Sequence, residues 1–457
     1  MSFPRYPEYK DSGVEWLGQV PAHWGVPRLR FTAQLNPSKN EVRQLPAETV
    51  VSFLPMEAIG EDGSIDLSRE RILADVTEGY TFIRDGDVAF AKITPCFENG
   101  KGAVMRGLQN GIGFGTTELI VVRPEEQKLS PYFLHYLFTS TLFRQAGESL
   151  MYGAGGQKRV PDSFVRDAVI PLPSPEEQAM IGAFLDREIA KIDTLVAEQE
   201  RLIALLKEKR QAVISHTVTK GLNPDAPTKD SGIDWLGSVP AGWTLTPLRY
   251  LVQSVGQGWS PQCESYAADW ESEYGVLKVG AVNGGIFDPS ENKKLPPALE
   301  PQTDLAIRAG DLMISRANTR ELVGSAAVAD DDYPHLLLCD KLYRLRFRRS
   351  GQLPKFISRF LATPVIREQI ELGASGASAS MLNISQSVIL DLPAPVPPED
   401  EMLTILDYCA RAAEETSELI EQAEGSVSLL IERRAALITA AVTGQIDVRD
   451  LAPSDAA

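Results

Sequence analysis

At 457 residues the chain is longer than one hydrophobic core sustains, so more than one domain is expected. Hydrophobic residues at 43% and charged residues at 23% describe an ordinary globular protein, no apolar run approaches the roughly 20 residues needed to span a bilayer, and the N-terminal MSFPRYPEYKDSG has no signal-peptide core, so a cytoplasmic location without membrane contact is expected. A net charge of −17 with a pI near 4.9 excludes a uniformly basic nucleic-acid binder, although residues 396–425 hold nine acids against one base, Arg411, and so carry nearly half of the excess.

The chain is written twice, and taking its elements in order exposes the repeat. A leader over residues 1–27 contains KDSGVEWLGQVPAHW (10–24), which returns as KDSGIDWLGSVPAGW (229–243) with eleven of fifteen positions identical. A mixed segment follows over 28–170. Strand-like VAFAKI (88–93) and ELIVVRP (118–124) precede the helical PYFLHYLFTSTLFRQ (131–145). After Pro173-Ser174-Pro175, apolar residues at Leu185, Ile189, Ile192, Val196, Ile203, Leu206 and Val213 recur in steps of three and four, predicting one long helix within 171–221. Pro175, Glu176 and Glu177 suit its first turn, and Gly221 suits its stop.

The second half repeats this order: a leader (222–246), a mixed segment (247–395), a second helix (396–445) and a tail (446–457). IRDGDVAFAK (83–92) returns as IRAGDLMISR (307–316), and EKRQAVISHTVTKG (208–221) as ERRAALITAAVTGQ (432–445). The second helix has a thinner apolar stripe, including Ile420, Val427 and Ile431, and Gly425 interrupts that stripe. The expected fold class is α/β (α+β), with two duplicated domains joined by two long helices as an antiparallel coiled-coil spacer. Each tryptophan leader is expected to pack on the end of the other half's helix.

Catalytic and metal signatures are missing from the sequence. Cys96, Cys263, Cys339 and Cys409 are dispersed and read as buried reduced thiols; His23, His135, His216 and His335 have no ligand spacing. There is no phosphate-binding loop and no nucleophile elbow. Glu126-Gln127-Lys128 and Glu291-Asn292-Lys293 only loosely suggest a nuclease half-site and read as solvated turns. No catalytic residue and no metal ligand is assigned.

The KDSGVEWLG…VPAHW leader, the proline-rich hinge before EEQ and the EKRQAVISHTVTKG helix end together resemble the specificity subunits of type I restriction-modification systems, over nearly the whole chain. The resemblance implies a non-catalytic DNA-recognition subunit with two target-recognition domains. Each reads one half of a bipartite, asymmetric site, and the helices set the gap. It also implies double-stranded DNA, two methylation subunits and two restriction subunits as partners. This chain would hold no cofactor, while the partner subunits would use S-adenosylmethionine, ATP and Mg2+. A non-catalytic coiled-coil scaffold without DNA specificity is the alternative.

Candidate DNA contacts follow the matching strands: Lys92, Thr94, Asn99 and Lys101 in the first half, Arg316, Asn318, Thr319 and Arg320 in the second. The small-residue loops before each hinge add Gln157, Lys158 and Arg159, and Ser378, Ser380 and Asn383. Arg344, Arg346, Arg348 and Arg349 form a basic strand that either faces DNA or balances the acidic helix. Spacer and partner-docking roles are expected for Leu185, Ile189, Ile192, Val196, Leu206, Ile420, Val427 and Ile431. The acidic second helix reads as a protein-docking surface, and the isolated chain is expected to bind DNA poorly.

Overall fold

A computed structural model of the chain describes residues 3–154, 156–349, 351–378 and 381–451. The fold comprises two compact units, Met1–Glu200 with Glu424–Ala457, and Arg201–Ala423. Each unit therefore takes its leader and mixed segment together with parts of both long helices.

The periodicity is realised as continuous helices over Pro175–Lys220 and Glu399–Val442. The second runs straight through Gly425, because a glycine costs a helix interior only about 1 kcal/mol and its neighbours compensate. In the first unit Arg187 reaches the Leu451 carbonyl at 3.0 Å and Asp193 meets Arg434 at 3.1 Å. Higher numbers on one helix thus meet lower numbers on the other, so the pair is antiparallel. The second unit shows the same sense, with Arg210 on the Ser417 hydroxyl and Gly221 beside Glu401.

Both mixed segments build two four-stranded sheets in the same order. In the first unit, Ala33–Leu35, Leu119–Pro124, Val88–Ala91 and Gly102–Val104 form an antiparallel sheet. Its counterpart joins Val252–Gln257, Leu342–Phe347, Leu312–Ser315 and Ala326–Val328. The other sheet runs Glu70–Ile72, Val50–Leu54, Ile112–Gly115, Thr81–Arg84 in the first unit, and Asn292–Lys294, Gly275–Leu277, Tyr333–Leu337, Ala306–Ile307 in the second. Each has one parallel pairing, between its two central strands. The duplication seen in the leaders thus extends through regions whose side chains diverge.

Each leader is a short hairpin, Tyr9–Asp11 with Gln19–Pro21 and Thr228–Asp230 with Ser238–Pro240, in identical register. It delivers a fully buried tryptophan to the end of the helix supplied by the other repeat. Trp24 joins the core formed by Leu437, Ile438, Ala441 and Val442, and Trp243 joins that of Ile214 and Val218. Burial of such a ring is worth about 3–5 kcal/mol against alanine. Both helices stop at a left-handed glycine, Gly221 (φ +79°) and Gly444 (φ +74°), lying directly against these indoles. All four cysteines are free; Cys339 and Cys409 are buried, whereas Cys96 and Cys263 are only half-buried, which corrects the expectation for those two.

Candidate nucleic-acid interface

In each unit the structure brings the two candidate loops together as one ribbon. In the first, the Val160 amide donates to the Lys92 carbonyl at 2.9 Å, and Ile93 bridges Arg159. Thr94 locks the junction: its amide donates to the Lys158 carbonyl, its hydroxyl donates to the Gly156 carbonyl, and its Oγ1 accepts from the Lys158 amide. In the second unit the Ile384 amide donates to the Arg316 carbonyl at 3.0 Å. Ala317 pairs with Asn383, and Asn318 with Leu382, within a three-stranded ribbon of Ala317–Asn318, Met381–Asn383 and Ser375–Ser378. Thr94, Asn318 and Asn383 therefore hold the ribbons together.

Most of the candidate cations already have partners. The Arg159 guanidinium grips Glu118 with three N–H···O contacts of 2.8–3.2 Å, which holds the Glu118 carboxyl below its ordinary range. Arg316 donates to the Asp340 carbonyl at 3.1 Å, and Arg320 pairs with Glu371 at 2.7 Å. Lys101 donates to the Met56 carbonyl, Asn99 to Glu61, and Lys92 lies 3.9 Å from Asp162. The Thr319 carbonyl accepts from the Leu322 and Val323 amides. Only Gln157 and Lys158 combine exposure with side chains that have no partner among the described residues. Ser378 lies on the ribbon, and Ser380 falls outside the described residues.

The basic strand serves neither role anticipated for its first two arginines. Arg344 is buried and donates to the Ala306 and Asp304 carbonyls; burial pushes its pKa down. Arg346 forms a two-pronged ion pair with buried Asp311, at 2.6 and 3.0 Å. The first repeat holds the equivalent pair, Arg123 with fully buried Asp87 at 2.6 and 2.8 Å, with Glu41 on the outer edge. Burial opposes the Arg123 charge, but the two carboxylates outweigh it and raise its pKa. Both aspartates also accept from a turn amide, Arg84 and Arg308. The repeated Ile-Arg-x-Gly-Asp was the available signal for this internal lock. Arg348 and Arg349 are exposed.

A search focused on polar loops also misses apolar side chains on the ribbons: Tyr152 and Met381 are exposed there. Among the described residues no group of three or more His, Cys, Asp or Glu is placed to hold a metal ion, and no helix is long and apolar enough to cross a membrane.

No family model matches the chain. It is 28% identical to the type I restriction enzyme EcoEI specificity subunit of Escherichia coli, over 85% of this chain and 77% of that one. It is 40% identical to the EcoAI specificity subunit of the same organism, over 41% of this chain and 31% of that one. Along most of its length the chain is similar to type I restriction specificity subunits.

Among solved structures, the HsdS subunit of Thermoanaerobacter tengcongensis shares the fold at a TM-score of 0.54 and 19% identity, over 93% of this chain and 98% of that one. A chain from a study of complex assembly and conformational transition of the type I restriction-modification system aligns at 0.71 and 21%, with the same coverage. The surfaces of the long helices sort differently from expectation. Leu185, Ile189, Ile192 and Ile420 are buried; Val196, Leu206 and Val427 are half-buried. These residues serve internal packing. Ile431 is exposed although it lies on the same side of the helix as buried Ile420 and Ile438, and its neighbour Leu430 packs on the core instead. The exposed apolar residues are different ones: Leu195 and Leu419, and Leu205 and Leu429, stand at matching positions in the two repeats, and Met180 and Leu403 are exposed in the first turns.

Proposed function

We propose that this chain reads DNA sequence for a type I restriction-modification complex, each mixed domain reading one half of a bipartite, asymmetric site. The observation that carries this reading is the duplicated frame with divergent ribbons. Strand order and the ribbon junction are the same in both repeats, while the exposed side chains differ: Tyr152, Gln157 and Lys158 against Met381. A shared frame gives two readers the same approach to a duplex, and different side chains give different base preferences.

The two helices, 46 and 44 residues, are each about 65–70 Å long at 1.5 Å per residue, and a stiff element of that length suits half-sites spaced by helical repeats of about 34 Å. The exposed Leu195, Leu205, Leu419 and Leu429 are docking positions for two methylation subunits, one on each repeat. Methyl transfer from S-adenosylmethionine, and ATP- and Mg2+-dependent cleavage by two restriction subunits, belong to those partners in the cytoplasm. A scaffold without DNA specificity is not favoured, because the relatives are named as specificity subunits.

The test is co-expression with the methylation subunit of the same system, followed by mapping of modified bases in host DNA. One bipartite motif with a fixed gap is expected. Assembly without any new modified motif would refute sequence reading.

A further inference from the structure

Two large aromatic side chains stand in solvent at the same place in each repeat. Leu29–Phe31 and Leu248–Tyr250 each form a single 3-10 turn. The leucine is buried and its amide is tied to the strand leading to the hinge, Leu29 to the Ala168 carbonyl at 2.8 Å and Leu248 to the Leu392 carbonyl at 3.0 Å. The last residue of each turn is left outside: Phe31 is 62% and Tyr250 66% exposed. Between them sits an arginine paired to an aspartate in both repeats, Arg30 with Asp167 at 2.6 Å and Arg249 with Asp391. In the first repeat the Arg30 guanidinium also lies 5.1 Å from the Phe31 ring centre.

Singly exposed apolar residues are normal and need no explanation. The same aromatic–arginine–aspartate group written twice, in domains whose reading ribbons diverge, is a different matter. Divergent surfaces suit an asymmetric target, whereas a surface kept the same on both repeats suits something met twice. DNA backbone is also met twice, but an aspartate fixed to each arginine makes a poor phosphate site. Aromatic and arginine side chains are instead the types that anchor protein interfaces. The hinge beside each patch leads directly into helix residues that are likewise exposed and apolar, Met180 in the first unit and Leu403 in the second.

We propose that Phe31 and Tyr250 anchor two equivalent protein-docking patches, each taking one copy of the same partner. That partner is the methylation subunit, so the proposal rests on the reading above and extends its docking surface from the helices to the base of each recognition domain.

The test uses the full-length chain and the methylation subunit of its own system, with copies counted by native mass spectrometry and affinity measured by titration. The wild-type chain should take up two copies. Phe31→Ala and Tyr250→Ala should each leave one copy at a concentration that saturates wild type, with at least tenfold weaker uptake of the other. The double variant should weaken both, and exchanging the two rings (Phe31→Tyr with Tyr250→Phe) should restore two copies. Circular dichroism unchanged from wild type would separate lost docking from lost fold. Two copies held at unchanged affinity by the double variant would overturn the proposal. So would normal assembly with weakened DNA binding, which would make the patches a nucleic-acid surface. A wild-type chain that takes up no methylation subunit would instead overturn the underlying reading as well.

Discussion

The two helix-ending glycines form an internal controlled experiment. Gly221 and Gly444 occupy equivalent positions with φ of +79° and +74°, so alanine at either one incurs the left-handed penalty of about 1–2 kcal/mol. Their surroundings differ. A methyl group at 221 would sit 3.3 Å from a Glu401 carboxylate oxygen and 3.4 Å from the Trp243 ring, and the far end of the half-buried Glu401 side chain can swing away. A methyl group at 444 would sit 2.5 Å from Pro21 Cγ and 3.1 Å from the Trp24 ring. Neither yields easily, because Pro21 is paired with Tyr9 in the leader hairpin and Trp24 is fully buried. Overpacking of that kind adds about 1–3 kcal/mol. Gly444→Ala should therefore cost about 2–5 kcal/mol and Gly221→Ala about 1–2 kcal/mol. Because the chain has two units, a single unfolding midpoint would blur the result. The assay is native-state hydrogen exchange of the leader amides, residues 19–24 for Gly444→Ala and 238–243 for Gly221→Ala. Equal losses of protection, or a larger loss around Gly221, would refute the steric argument.

Three further outcomes are expected. Asp87→Ala should destabilise the first unit by about 3 kcal/mol, since it strands a guanidinium whose side chain is only 8% exposed and leaves it with Glu41 alone; Asp311→Ala should cost less, because Arg346 is 28% exposed and rehydrates, and urea titrations of both variants test the order. His135 is pushed down to about 4 by burial and by the Arg434 guanidinium, so the unfolded chain takes up a proton near pH 6.5 that the folded chain refuses; stability should fall as pH drops below 6.5 and level off below about 4, and urea midpoints of His135→Gln should lack that part of the slope. In the assembled complex, Lys158→Ala should lower the slope of log affinity for DNA against log salt by about 1, as expected for one lost phosphate contact, and an unchanged slope would remove Lys158 from the interface.

The sequence by itself determined the duplication, the two long helices, the glycine stop of the first and the leader tryptophans. All of these are recorded in self-similarity, in a 3.6-residue period or in a residue type that a particular backbone shape requires. It also singled out both loops of each ribbon, although no local pattern shows that they touch. Only the tertiary structure decided which charges remain free. Arg159 lies 41 residues from Glu118, Asn99 lies 38 from Glu61, and Arg346 lies 35 from Asp311. Pairings across such distances are set by sheet order, which no local pattern records. The same holds for the helices: the apolar stripe located the seam near Leu185 and Ile189, but what packs against a stripe residue decides whether it is covered, and Ile431 is left exposed between buried Ile420 and Ile438. Phe31 and Tyr250 were visible as letters from the start, but their standing in solvent followed from the burial of the leucines two residues earlier.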